Sequence, residues 1–249
     1  MKIRPQQYLR WLIAAALGIP ALHTHAFADT ASSQTTGNAK KLVVDLANAE
    51  IDVIKGVRDS YTVEGEETSH VRIDRDGDTL KILSSQGSGS SVVVTGSKPA
   101  TVYSSNSLVV VNGVVVSQGA NDRAATTPVK IRVTASDVQD VVLLSAKSVR
   151  LTGLDAERLS LAVVGQGDIW ASGKVRYLNA SITGQGAIHA LKLSAKTVDA
   201  SLSGMGSIDT YASDTLDARL SGMGNINVAG NPKSRHTKMT GMGHIQDVQ

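Results

Sequence analysis

Five copies of the phrase G-x-G-x-I occur in the C-terminal half of the chain, and their first glycines are 19, 20, 18 and 19 residues apart. A sequence period near 20 is typical of solenoids, in which one small unit stacks on copies of itself. This spacing constrains the fold more than any other feature of the sequence. The repeated positions are Gly165, Gly167, Ile169, Gly184, Gly186, Ile188, Gly204, Gly206, Ile208, Gly222, Gly224, Ile226, Gly241, Gly243 and Ile245.

Apolar residues recur at every second position before the glycines of the first four copies. Such alternation predicts a strand with one buried face. The isoleucine of each phrase begins a second buried strand, and the glycines fit a corner where a side chain would block close backbone packing. The alternating residues are Leu159, Leu161, Val163, Leu178, Ala180, Ile182, Val198, Ala200, Leu202, Leu216, Ala218 and Leu220.

One such unit cannot bury its own apolar face, but units stacked about 4.8 Å apart form a continuous core. The sequence therefore predicts an all-β fold, a right-handed parallel β-helix with repeats of about 19 residues, because parallel crossovers are almost always right-handed. A left-handed hexapeptide helix would give about 18 residues per turn. Its six-residue sub-period is missing here, which favours the right-handed form.

The N-terminus has the pattern of a bacterial secretory signal peptide. Three basic residues precede an apolar run at positions 11–17, and the small-residue site Ala26-Phe27-Ala28 follows. This pattern predicts export with cleavage after Ala28, to the periplasm, the medium or the cell surface. The alternative is a signal anchor that stays attached. Because the chain has no cysteine, neither a disulfide nor a lipoprotein anchor is expected.

Removal of residues 1–28 changes the charge balance. The segment holds three basic and no acidic residues, so residues 29–249 carry 22 basic and 22 acidic residues. A neutral protein gives no reason to expect nucleic acid or an anionic membrane as partner. No later apolar segment is long enough to span a bilayer, so no integral membrane segment is expected after cleavage.

Residues 29–39 read as a flexible polar leader, and residues 40–247 as a single domain. Strand signals at positions 42–44, 51–54 and 61–63 precede a predicted N-terminal β-hairpin over positions 71–82, with its turn at Asp76 and Gly77.

A segment rich in Val, Gly and Ser, at about residues 86–128, interrupts this domain. Its two valine triplets begin at Val109 and end at Val116, and they flank Asn112-Gly113, a strong hairpin signal. Since no charged residue lies from Pro99 to Asn121, the hairpin is expected to avoid water. It either covers an end or side of the β-helix or mediates self-association by strand addition.

One candidate binding face is a ladder of hydroxyl side chains, one before each of four glycine pairs: Thr183, Ser203, Ser221 and Thr240. Asp199 and Asp217 occupy neighbouring layers and form the only acidic pair that suggests a glycan-active enzyme. Neighbouring like charges are commoner on exposed strands than in active sites, so we predict no catalytic residue, no metal and no cofactor.

The G-x-G-x-I copies, their V/L-x-A-x-L-S-G lead-in and the strand-rich N-terminal half resemble the bacterial head GIN domain family, the putative autotransporter adhesin head. There the phrase usually reads S-G-S-G-D-I, whereas this chain has Ser203-Gly204-Met205-Gly206-Ser207-Ile208. The resemblance spans about residues 40–247 and is most specific over 140–247. It implies a β-helical exported domain with an adhesive role. Here the middle position holds Gln or Met, so longer side chains line the corner.

These features predict a non-catalytic, adhesin-like binding or structural protein of the bacterial cell envelope, whose ligand is an envelope or surface protein or glycan. The alternatives are a glycan-active β-helix enzyme and an envelope assembly or chaperone factor.

Overall fold

The computed structural model describes residues 31–34, 38–57, 59–64, 71–84, 93–94, 103–105, 108–111, 114–116 and 128–248. Their regular structure is entirely β, and none of these residues lies in a helix. Accordingly, this part of the chain offers no helix long and apolar enough to cross a membrane. The predicted signal peptide lies outside the described residues.

The strands in these ranges form two sheets, one of 13 strands and one of four. The large sheet contains β1 (Ala31–Gln34), β2 (Lys41–Asp45), β3 (Ala49–Lys55), β4 (Ser60–Glu64), β5 (Val71–Asp76), β6 (Thr79–Ser84), β11 (Val129–Ala135), β12 (Asp140–Ile182), β13 (Gln185–Leu202), β14 (Met205–Leu220), β15 (Met223–Ala229), β16 (Ser234–Met239) and β17 (Met242–Asp247). The small sheet contains β7 (Val93–Val94), β8 (Tyr103–Ser105), β9 (Leu108–Val111) and β10 (Val114–Val116).

The alternating residues before the glycines form the core of the large sheet. All twelve are at most 2% exposed, from Leu159 to Leu220. The residues between them face outward or lie partly exposed, except Ala162, which is also buried. The two-residue period thus separates a buried face from an outer face, as expected for a strand.

Strand β12 contains 43 residues, which would span about 140 Å if the strand were straight. Instead the chain turns and returns beside itself. A hydrogen bond of 2.7 Å from the Ser160 amide to the Gln139 carbonyl shows this return. The same return brings Gly165 against the backbone of Leu144. One repeat therefore lies alongside the next within a single continuous strand.

The five phrases pair with each other in parallel and in register. Gly167 lies opposite Gly186, and this correspondence continues through Gly206, Gly224 and Gly243. The isoleucines follow the same register. The first four, Ile169 to Ile226, are fully buried, and Ile245 in the last described repeat is partly buried.

The glycine pairs allow these repeats to approach each other. A Cβ on Gly204 would lie 2.0 Å from the carbonyl oxygen of Gly184, and a Cβ on Gly206 would lie 1.7 Å from that of Gly186. Gly206 also has φ of +146°, a conformation that L-residues rarely adopt. The pairs are thus required by backbone packing between repeats as well as by the corner.

The N-terminal strands extend the same sheet. β2 and β3 pair in parallel with the first part of β12, and β6 and β11 pair in parallel with β2 and β3 respectively. β6 and β11 are far apart in sequence, yet together they form one layer beside the layer of the consecutive strands β2 and β3. The Val/Gly/Ser-rich segment joins β6 to β11.

Antiparallel strands lie beyond this layer. β5 pairs with β6, and β4 pairs with β11. The hairpin of β5 and β6 turns at Gly77 and Asp78, one residue later than predicted, because Asp76 still pairs with Thr79. β1 pairs with β4, so four residues of the predicted flexible leader lie in a strand, where the edge of β4 supplies backbone partners.

The two valine triplets form the antiparallel strands β9 and β10, with Val111 opposite Val114; their turn, Asn112-Gly113, lies outside the described residues. β9 also pairs with β8, and β10 also pairs with β7. Both valine strands therefore have partners on both sides, and the edges of this sheet are β7 and β8.

Candidate functional site

The hydroxyl ladder predicted from the sequence lies at the corner where each repeat reaches its glycine pair. Thr183, Ser203, Ser221 and Thr240 are all exposed. The backbone amide of each residue donates a hydrogen bond to a carbonyl of the preceding repeat. The distance is 2.9 Å from Thr183 to Val163 and 2.8 Å from Thr240 to Leu220. The Ser203 hydroxyl also donates to the Ile182 carbonyl at 3.3 Å. These four residues thus share one outward strip.

A second strip runs beside the first, formed by the middle residue of each phrase: Gln166, Gln185, Met205, Met223 and Met242. These side chains are exposed, and the exposed fraction of the methionines rises from 40% at Met205 to 68% at Met242. We call the two strips together the corner surface. It carries hydroxyl, amide and thioether groups but no charge, and it extends for about 19 Å across five repeats.

A third ladder, which the sequence analysis missed, lies five residues after each first glycine. It consists of Trp170, His189, Asp209, Asn227 and Gln246 in successive repeats. The repeat spacing would have revealed it, because the position follows the buried isoleucine directly. No histidine or carboxylate follows His189 at three or four residues, so the sequence predicts an isolated side chain. In the structure His189 has partners on both sides.

The contacts along this ladder are continuous. Trp170 and His189 stack with ring centroids 4.8 Å apart, and the Arg150 guanidinium lies 5.7 Å from the Trp170 ring. His189 Nδ1 lies 2.8 Å from Asp209 Oδ2, and Asn227 donates to Asp209 Oδ1 at 2.7 Å. Gln246 donates to Asn227 at 3.0 Å. We call this set the polar ladder; its groups mainly satisfy each other.

The acidic pair of Asp199 and Asp217 is joined by one arginine. Arg219 donates to Asp199 at 3.2 Å and to Asp217 at 2.5 Å. Burial raises the pKa of Asp199, an effect that Arg219 opposes and Asp217 reinforces. Since a glycosidase needs carboxyl groups free to transfer a proton or attack the sugar, this ion cluster gives no support to the glycan-active alternative.

The chain has no significant sequence match among curated proteins. The fold is nevertheless found in solved structures. A putative adhesin from Bacteroides fragilis is 18% identical with a TM-score of 0.61, and the match covers 90% of this chain and 98% of that one. A putative adhesin from Parabacteroides merdae is 14% identical with a TM-score of 0.47, with 90% and 97% covered.

The family is established by sequence. A model of the family described as putative auto-transporter adhesin, head GIN domain, matches residues 40–232. This range begins just before β2 and includes the first four G-x-G-x-I phrases. It covers most of the chain and ends in the loop before β16. The chain therefore belongs to the head GIN domain family of putative auto-transporter adhesins.

Proposed function

We propose that this protein is an exported, non-catalytic, adhesin-like component of the bacterial cell envelope that binds a surface protein or glycan through its corner surface. Membership in an adhesin family supports a role at the cell surface. The signal-peptide pattern of residues 1–28 supports export.

The scaffold in this proposal is a right-handed parallel β-helix. Support comes from the in-register parallel pairing of successive repeats and from the return of β12 beside itself. The right-handed form is proposed because parallel connections are nearly always right-handed. In such a scaffold each repeat would present one copy of the corner residues to a ligand.

The observation that carries the proposed function is the unbroken register of the corner surface. Ser203 and Ser221 keep the same outward position in neighbouring repeats, and Met205 and Met223 do the same beside them. Uncharged groups at regular spacing suit an extended ligand that makes repeated polar and apolar contacts. Backbone hydrogen bonds to the preceding repeat hold the hydroxyl residues in these positions.

The test is binding to a glycan array and capture from an envelope extract, using the processed protein and a corner variant, Ser203→Arg with Ser221→Arg. We expect the long side chains to block the corner and abolish the selective binding seen with the original protein. The matched control, Asn179→Arg with Ser234→Arg, adds the same charge at exposed positions elsewhere and should bind normally. Equal binding by both double variants would exclude the corner surface as the site.

Self-association by strand addition, if it involves the valine segment, is proposed to occur at β7 or β8. These two are the edge strands of the small sheet, whereas β9 and β10 are central. An added strand needs free backbone groups, and only edge strands offer them.

A further inference from the structure

A group of unpaired cations lies on the side of the repeats that follows the polar ladder. Arg158, Lys174, Lys192 and Lys196 are all exposed. None of them makes a salt bridge within the part of the chain that the structure describes. Since residues 29–249 are neutral overall, this local excess of positive charge is a feature of one surface and not of the whole protein.

Two of these cations, Lys174 and Lys196, line a shallow, open groove of about 430 Å³. The groove spans three successive repeats, and its walls are Asp155, Ala156, Glu157, Lys174, Val175, Arg176 and Lys196. Both carboxylates in the walls already face a cation. Glu157 pairs with Arg176 at 3.2 Å, and Asp155 lies 3.9 Å from Lys55. Lys174 and Lys196 therefore remain available to an anion.

An exposed aromatic ring lies beside the groove. Tyr177 is 37% exposed, and the guanidinium carbons of Arg158 and Arg176 lie 5.3 and 5.5 Å from its ring centroid. These contacts orient the ring and both arginines. The combination provides an apolar surface for packing and planar donors for a carboxylate or sulfate.

The register of the repeats is irregular on this side. The register shifts once where β12 pairs with β13, between Trp170 and Ser172. It shifts twice where β13 pairs with β14, between Ala190 and Ser194 and between Ala195 and Thr197. The corner surface and the polar ladder run through the same strands without a shift. Bulges of this kind are common next to binding sites because they redirect side chains.

We propose that this groove binds a linear acidic polysaccharide, with Lys174, Lys196 and Arg158 contacting its carboxylate or sulfate groups and Tyr177 packing against a sugar ring. The cations come from successive repeats, which are about 4.8 Å apart, so they suit a chain of anionic groups better than one compact anion. The site lies on a different surface from the corner and goes beyond the function proposed above.

Isothermal calorimetry with polygalacturonate, dextran sulfate and neutral dextran tests this site. The processed protein is expected to bind both polyanions but not dextran, and more weakly as salt is raised. Lys174→Gln with Lys196→Gln should weaken binding by about tenfold or more without changing the unfolding temperature. The control, Lys130→Gln with Lys238→Gln, removes two cations elsewhere that also make no salt bridge within the described residues, and should change affinity less than about twofold.

Variants of Tyr177 distinguish specific binding in the groove from nonspecific attraction between cations and polyanions. Tyr177→Ala should weaken binding several-fold, whereas Tyr177→Phe should retain it, because the ring and not the hydroxyl meets the sugar. The proposal is overturned if neither polyanion binds, if dextran binds equally, or if the control pair loses as much affinity as the groove pair. The corner variants keep every residue of the groove and add two cations, so they should bind both polyanions at least as tightly as the original protein. Failure of the corner proposal and failure of this one are therefore distinguishable.

Discussion

Individual residues show how tightly the repeats are packed. Backbone carbonyls of one repeat occupy the space that a side chain would need on the glycines of the next. Among the described residues from β12 onward, the buried positions hold only Val, Ile, Leu and Ala, with one polar exception. Thr210 is fully buried in register between Ala190 and Val228, and no described residue hydrogen-bonds to its hydroxyl.

Thr210→Val should therefore stabilise the protein. Valine keeps nearly the same shape and removes a buried hydroxyl that gains nothing from folding, so the free energy of unfolding should rise by about 1–2 kcal/mol. Urea denaturation measures the change. The control Thr215→Val, at a partly exposed position of β14, should have little effect, and a loss of stability in Thr210→Val would show that the hydroxyl has a partner in solution.

Gly206→Ala should destabilise the protein by several kcal/mol, since its Cβ would overlap the Gly186 carbonyl oxygen at 1.7 Å. The matched control is Gly153→Ala. Gly153 has φ of +71°, but no atom within 4 Å of an added Cβ, so only the backbone conformation is penalised, by about 1 kcal/mol. Similar thermal unfolding of the two variants would contradict the close packing of repeats described here.

At the scale of strands, much of the fold could be predicted because the information is local. Alternation marks each buried face, and the glycine pairs mark each corner. The union of β6 and β11 into one layer could not be predicted, because the two strands come from distant segments and neither contains a signal for its partner. The polar ladder could be predicted from the repeat spacing, whereas the cationic groove depends on irregular positions that no period reveals.

The polar ladder leads to a corrected expectation for Asp209. Strand alternation places Asp209 on the outer face beside the buried Ile208, and from sequence alone this predicts that Asp209→Ala is nearly silent. In the structure, however, the carboxylate is only 16% exposed and contacts both His189 and Asn227. Its removal should cost about 1–3 kcal/mol of unfolding free energy. Asp214→Ala, which removes an exposed partner of Lys233, should cost less than about 1 kcal/mol. Equal effects in chemical denaturation would mean that the ladder adds nothing beyond ordinary surface contacts.

At the scale of the whole molecule, the described ends of the large sheet differ. Antiparallel β4 and β5 lie against the first parallel layer, whereas every residue of β16 in the last described repeat is exposed. Between these ends, the corner surface and the polar ladder cross all five G-x-G-x-I repeats, whereas the cationic groove is confined to positions 155–196. The corner surface and the polar ladder depend on the register that brings equivalent residues together, whereas the cationic groove lies where that register shifts.

Export is expected to remove residues 1–28, because the apolar run is short and is followed by a good cleavage site. Intact-mass measurement of the periplasmic or secreted protein should give a chain that begins at Asp29. A chain that retains Met1 and sediments with membranes would instead indicate a signal anchor.

The parallel register of the repeats is tested most directly by engineered disulfides, which have no background because the chain lacks cysteine. Met205 and Met223 are exposed register neighbours, about 4.8 Å apart and within the range that a disulfide spans. Met205→Cys with Met223→Cys should therefore cross-link on mild oxidation, lowering the intact mass by two hydrogens. Met205→Cys with Met242→Cys places the thiols two repeats apart, about 10 Å, and should stay reduced within the monomer. Cross-linking of the second pair but not the first would contradict the account.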